Sequence, residues 1–225
     1  IKTEFTKKNQ LKIISDEGIG ISRARNIAIN TSIGGWILLL DDDVYININT
    51  FQVINKHLSD DELFYYGNVL IHNTKTHYVR YYVINRDIDL WNYNRVCSVS
   101  LIINRKVFDK IGLFDENLGS GSNFGSSEES DFILRALLNN IKIRYLSSYV
   151  VYHSQALHSL IKVEKYAMGA GALYRKYLLR VNLVLYLKLM IDLLIRFVFL
   201  FSFQKKRYIF FKGFFKGFMK YRDSI

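Results

Sequence analysis

Apolar and polar positions change period several times along the chain, and each change marks an element. Trp36-Ile37-Leu38-Leu39-Leu40 is an unbroken apolar run between Gly34-Gly35 and Asp41-Asp42-Asp43. A short apolar run bounded in this way reads as a buried strand. Before it, Leu11 to Ile14 forms a short strand candidate, and Asp16 to Gly20 a loop. Ser22 is an N-cap for a helix from Arg23 to Thr31, whose Ala24, Ile27, Ala28 and Ile29 suit one buried face. After it, Asn49 or Thr50 caps a helix reaching Leu58. Phe64 to His72, His77 to Ile84 and Val96 to Asn104 read as strands, and Arg105 to Ile111 as a short helix. Ile133, Leu134, Leu137 and Leu138 fall at helical spacing, and that helix ends at Asn139-Asn140. Ile141 to Tyr145 and Tyr149 to His153 are strands again, and Tyr166 to Tyr177 is a helix. Strands alternating with helices predict an α/β fold.

Two polar stretches stand out against this pattern. The three acids that end the first apolar run repel one another, and a cation among them relieves that. Ligands of α/β sheets bind beyond the carboxyl ends of strands. Hard oxygen ligands suit Mg²⁺ or Mn²⁺, so the stretch is a candidate phosphate or diphosphate site, the alternative being an acidic turn. The second stretch, Leu118 to Ser127, holds Gly119, Gly121, Gly125 and four serines, and reads as a mobile loop. It runs into Glu128-Glu129-Ser130-Asp131. Ser126 with Glu129 matches a capping box, which accounts for Glu129 alone; the full cluster Glu128, Glu129, Asp131 also fits a cleft holding a general base. His153 ends an apolar strand and is either a structural histidine or a metal ligand completing a site begun by Asp43.

Composition adds a charge asymmetry. The 225 residues carry a formal net charge of +11. From Arg175 onward twelve Lys and Arg face two acids, Asp192 and Asp223, so ten of those charges sit in the last 51 residues. Within them Val181 to Phe203 is long enough to span a membrane, but Lys188, Asp192 and Arg196 recur on one helical face. An amphipathic helix lying in the interface of an anionic membrane fits better. Nucleic acid is the weaker alternative partner, since no nucleic-acid motif is present, and an oligomer interface is the alternative for the apolar face. Cys97 is the single cysteine, so no internal disulfide forms, and it reads as a small buried residue. The chain starts at Ile1 with no signal-like segment and reads as N-terminally incomplete.

Five segments in order then resemble one family. Gly20-Ile21-Ser22-Arg23-Ala24-Arg25-Asn26, Leu40-Asp41-Asp42-Asp43, Ile111-Gly112-Leu113-Phe114-Asp115-Glu116, Gly125-Ser126-Ser127-Glu128-Glu129-Ser130-Asp131 and Val151-Tyr152-His153 are similar to the successive motifs of bacterial family 2 glycosyltransferases. The resemblance covers about residues 11 to 175. It implies a GT-A fold: Rossmann-like, with a mostly parallel central sheet flanked by helices. It divides the chain into a GT-A domain, 1–175, and a basic, amphipathic helical tail, 176–225.

The resemblance further implies inverting transfer of a sugar from a nucleotide-diphosphate donor, with UDP the expected nucleotide. The acceptor is a saccharide, which can be lipid-linked, of bacterial surface polysaccharide. Asp41 and Asp43 match the Asp-x-Asp motif; Asp43, with Asp41 and His153, would hold Mn²⁺ or Mg²⁺. Arg25, Asp41 and Asp42 would bind the donor. Glu128 and Glu129 fall on the family's Glu-Asp pair, so Glu129, with Glu128 or Asp131 as substitutes, would be the base. Trp91 is a candidate to stack on the acceptor sugar. The expected location is the cytoplasmic face of the inner membrane, held peripherally by the tail. A metal-dependent nucleotidyl- or phosphotransferase and a non-catalytic membrane-binding remnant are the rival readings.

Overall fold

A computed structural model describes residues 12–16, 18–59, 61–78, 86–154, 160–178, 183–200 and 205–222. Its helices are α1 (Ile21–Thr31), α2 (Thr50–His57), α3 (Arg105–Ile111), α4 (Glu128–Leu138), α5 (Leu160–Tyr177), α6 (Leu183–Leu200) and α7 (Lys205–Lys220). Its strands are β1 (Trp36–Leu38), β2 (Val44–Ile46), β3 (Phe64–Ile71), β4 (Leu101–Asn104) and β5 (Arg144–His153). They form one sheet in the order β1-β4-β3-β5-β2.

The fold is α/β of GT-A type, with one difference from the expected sheet. Among the described strands only β3 and β5 pair in parallel; the other three pairings are antiparallel. Parallel neighbours need a long crossover, and β3 and β5 are joined through β4, α3 and α4.

Both faces of the sheet are covered, which is why its strands read as continuous apolar runs. Phe64, Tyr66, Leu101 and Ile103 enter one core cluster, whereas Tyr65, Val69 and Ile102 enter another. Alternate residues of a strand point to opposite faces, and these assignments follow that period. On the first face Phe132 of α4 stacks on Phe114 at 4.6 Å and meets Phe108 at 5.0 Å.

Several boundaries move from their expected places. Helix α1 begins at Ile21, with Gly20 at the N-cap at φ 112°. Ser22 is not the cap: it lies in the first turn, buried, and its Oγ donates to Leu118 O at 2.6 Å. Residues 12–14 form no strand, and Leu11 lies outside the described residues. Of the strand expected at 77–84, His77 makes one bridge to Leu70 and residues 79–84 lie outside the described residues. Residues 98–100 form a 3₁₀ turn, leaving 101–104 as strand. Residues 144–153 form one strand in place of the two short ones that the sequence pattern suggests.

The glycine-rich loop is anchored along its length. Gly119 sits at φ 105°, a conformation that L side chains rarely adopt. Leu118 and Phe124 are buried with Ala172 of α5 and Tyr221 beyond α7. Ser122 Oγ donates to Asn117 O and Gly119 O, and Ile21 N donates to Ser120 O at 2.9 Å. The loop thus packs against other elements and forms no core of its own. Its glycines serve backbone turns, and its two apolar residues plug the core.

Residue 175 falls inside α5, and α7 folds back along that helix. A Cβ on Gly171 would collide with the carbonyl oxygen of Phe214, so only glycine permits this approach. On helix α6 the Lys188 and Asp192 side chains lie inward: Lys188 Nζ donates to both Asp192 oxygens at 2.7 Å, and Tyr174 Oη donates to Asp192 at 3.1 Å. The side chain of Arg196 lies outside the described residues. No helix of the described residues is long and apolar enough to cross a membrane.

Candidate functional site

Strand β1 delivers the chain into a tight turn, in which Val44 N donates to Asp41 O at 3.3 Å. The turn leads into β2, which pairs antiparallel with β5 so that Val44 stands opposite His153. Ser154 N then donates to Asp43 O at 3.2 Å. This register, over a separation of about a hundred residues, brings the acids to the histidine. Asp41, Asp43 and His153 each offer a ligand atom within 4.8 Å of the others. Asp42, at the tip of the turn, is exposed and belongs to neither this group nor the cleft lining.

The histidine is oriented by its second nitrogen. His153 Nδ1 lies 2.7 Å from Ser154 O, an acceptor only, so the Nδ1–H is directed at that carbonyl, with Asp43 Oδ2 at 3.5 Å. Tyr78 stacks on the ring at 4.2 Å. Ser154 Oγ donates to Asp43 Oδ2 at 2.5 Å. Two carboxylates and an imidazole are a donor set that fits a divalent cation such as Mg²⁺ or Mn²⁺.

Beside this group opens a cleft of about 370 Å³. Arg25, Asp41, Ser98, Glu128, Glu129 and His153 line it, and Tyr166, Ala170 and Phe210 of α5 and α7 form another wall. Arg25 projects from the second turn of α1 and is 8% exposed. Its Nη2 donates to Asp41 Oδ1 and Ser98 Oγ, both at 3.0 Å, and its Nη1 to Glu128 Oε1 at 3.2 Å. One guanidinium thus ties the strand-end acids to the α4 acids. The next residue, Asn26, donates to Phe114 O at 2.9 Å and accepts from Phe114 N at 2.9 Å, fixing α1 to the 111–116 turn.

Helix α4 starts at an unusual corner. Ser127 occupies the N-cap in a left-handed conformation, φ 74°, and makes no side-chain cap. Ser126 Oγ donates instead to Tyr166 O at 2.8 Å. The capping box is therefore absent, and Glu129 is left to the cleft. Burial first, and then the Glu128 carboxylate, push the Glu129 carboxyl well above its ordinary range; Arg25 pulls weakly the other way. A carboxyl held in this way takes up a proton more readily than a free carboxylate does.

Asp131 is corrected as a candidate base. It is fully buried and accepts from Arg135 Nε at 3.0 Å and Tyr177 Oη at 2.8 Å, with Lys176 Nζ also at 2.8 Å. Two residues past Glu129 on a helix of 3.6 residues per turn it points to the opposite side, where Tyr177 and Lys176 of α5 occupy its oxygens. Lys176 also donates to Asp115 at 2.8 Å, as does Tyr221 Oη at 2.9 Å. Burial opposes the Asp115 charge, but Lys176 outweighs it and holds that carboxyl below its usual range. Trp91 is half exposed in the turn after Asp89 and is not among the residues lining the cleft. Cys97 does line it, but burial and then Glu129 push its thiol up to about 12, which keeps it protonated and unreactive.

Sequence reasoning missed Ser98, Tyr78, Ser154 and the Tyr166–Phe210 wall. Tyr78 and Ser98 lie in segments read only as strands and Ser154 just past one, and only the folded register shows what they touch. Phe210 carries a signal of sorts, an aromatic in the basic tail, but that signal points to a membrane and not to the cleft.

No curated protein matches the chain. Among solved structures, the crystal structure of S. aureus TarS 1-349 is similar over 88% of this chain and 68% of that one, at 17% identity and a TM-score of 0.45. Residues 2–112 match the sequence model of glycosyl transferase family 2. Residues 2–112 accordingly carry a glycosyl transferase family 2 sequence, in keeping with a glycosyltransferase of GT-A type fold.

Proposed function

We propose that the chain carries out inverting, metal-dependent transfer of a sugar from a nucleotide-diphosphate donor, UDP in the first instance, to a saccharide acceptor. The observation that carries this is Glu129: uncapped, with a raised carboxyl, in the same cleft as Asp41 and His153. Asp41, Asp43 and His153 would hold Mn²⁺ or Mg²⁺, which when bound offsets negative charge on the leaving diphosphate. Arg25 holds Asp41 and contributes positive charge on the donor side. Glu128 holds Arg25 from the opposite end. Glu129 takes the proton of the acceptor hydroxyl as its oxygen bonds to the anomeric carbon. The carbon–oxygen bond to the diphosphate breaks, and its electron pair leaves with that group. One displacement inverts the anomeric centre.

The wall formed by Tyr166, Ala170 and Phe210 favours an acceptor with an apolar portion, consistent with a lipid-linked saccharide of surface polysaccharide. Such an acceptor would place the enzyme peripherally at the cytoplasmic face of the inner membrane. The basic residues of the tail would meet anionic headgroups there.

Calorimetric titration with UDP, with and without Mn²⁺, beside Asp43→Ala, tests the donor site. Binding that needs Mn²⁺ and disappears in the variant is expected. Equal UDP binding with and without the ion, or undiminished binding in the variant, would overturn the metal assignment. Retention of full sugar transfer by Glu129→Gln would overturn the base assignment.

A further inference from the structure

The inward turn of Lys188 and Asp192 leaves α6 with an apolar outer face. Leu183, Leu187, Met190, Ile191, Leu194 and Ile195 are 38–70% exposed. They recur at three- and four-residue spacing over about 18 Å of helix. The inner side holds Leu185 and Leu189, both fully buried, and the Lys188–Asp192 pair closed by Tyr174. The charges are thus neutralised against α5, and the large apolar side chains face out.

Two occupants suit such a stripe: a lipid surface or a second copy of the chain. Charge decides between them. Residues 205–222, the next helix and its end, carry seven Lys and Arg and no acid. On α7 the exposed Lys212, Lys216 and Lys220 lie along one line with exposed Tyr208, Phe215 and Met219. Among the described residues only Lys216 of these three cations reaches an acid, Glu164, at 3.7 Å. Two copies meeting through α6 would bring two such sets of like charge together. An anionic surface would neutralise them while covering the apolar stripe, and each Lys near it strengthens binding roughly fivefold.

We infer that α6 lies in an anionic lipid surface with its Leu187–Ile191–Leu194 face inserted and its Lys188–Asp192 face against the protein. This rests on the membrane reading above and specifies which face inserts.

The test is co-flotation of the full chain with phosphatidylcholine vesicles, with and without phosphatidylglycerol. The wild type is set beside Leu187→Glu/Ile191→Glu and Lys188→Met/Asp192→Leu. Thermal unfolding verifies that each variant is folded, and sedimentation reports its oligomeric state. The wild type is expected to float with anionic vesicles. The Leu187→Glu/Ile191→Glu variant should lose on the order of 100-fold in partitioning, since two inserted side chains are replaced by charges. The Lys188→Met/Asp192→Leu variant should keep binding. Undiminished binding by the first variant would overturn the inserted-face inference and leave the membrane reading standing. Failure of the wild type to float with either vesicle would overturn both. A wild-type dimer dispersed by the first variant, without flotation, would assign the stripe to a second copy.

Discussion

Arg25 offers the most direct test of how the site is held together. Arg25→Met keeps much of the side chain's volume and removes its charge. Its side chain is 9% exposed, as is that of Glu128, while Asp41 is 29% exposed. The substitution leaves Glu128 as a buried carboxylate without its cation, and it strands Ser98 Oγ. Removing one partner of a buried pair costs about 3–5 kcal/mol, and the wetter Asp41 adds little, so about 3 kcal/mol is expected. For a chain of this size that lowers Tm by about 6–12 °C. Urea unfolding at pH 7 gives the free energy directly. The cause is isolated by a second substitution: Glu128→Gln in the Arg25→Met background should recover most of the loss, because the uncompensated charge is then gone. If Arg25→Met costs under about 0.5 kcal/mol, or if Glu128→Gln deepens the loss, the buried-pair account is wrong.

Other outcomes follow from the same geometry. Glu129→Gln should lower kcat by about 10²–10⁴ and leave Mn²⁺-dependent UDP binding within about threefold, measured by turnover and calorimetry. The raised Glu129 carboxyl means that the native state holds its proton to higher pH than the unfolded chain does, so its contribution is complete below the unfolded value near 4.3 and is lost as pH rises through the folded one. Unfolding curves at pH 5 and pH 8 should therefore show Glu129→Gln gaining on the wild type at the higher pH. Asp131→Asn should destabilise by about 3 kcal/mol, read by urea unfolding, since it leaves Lys176 and Arg135 without their buried carboxylate. Gly171→Val should separate α5 from α7, lowering Tm and, through the displaced Phe210, weakening acceptor KM more than UDP binding.

The run Trp36 to Leu40 with its three acids, the α/β class and the helix after Ser127 are all legible in the sequence, because apolar periodicity and abrupt charge are local signals. Asp41, Asp43, His153 and Arg25 stand out by residue type and motif. Their mutual distances do not. Residue 41 meets residue 25, and residue 43 meets residue 153, through a turn and an antiparallel register that no local pattern encodes.

Where residue type is ambiguous, tertiary packing chooses. Glu128, Glu129 and Asp131 look alike in the sequence, three acids in one helical turn. The fold gives the first to Arg25, leaves the second in the cleft, and buries the third between Lys176, Arg135 and Tyr177. Helix α6 makes the same point. Its spacing separates a charged side from an apolar one, but periodicity carries no sign for which side faces in. Tyr174 of α5 settles that, because its hydroxyl and the Lys188 ammonium satisfy the Asp192 carboxylate. Local order along the chain specifies the elements and the chemical groups on offer. Which of those groups meet is set by the folded chain, because desolvation and pairing are properties of neighbours distant in sequence.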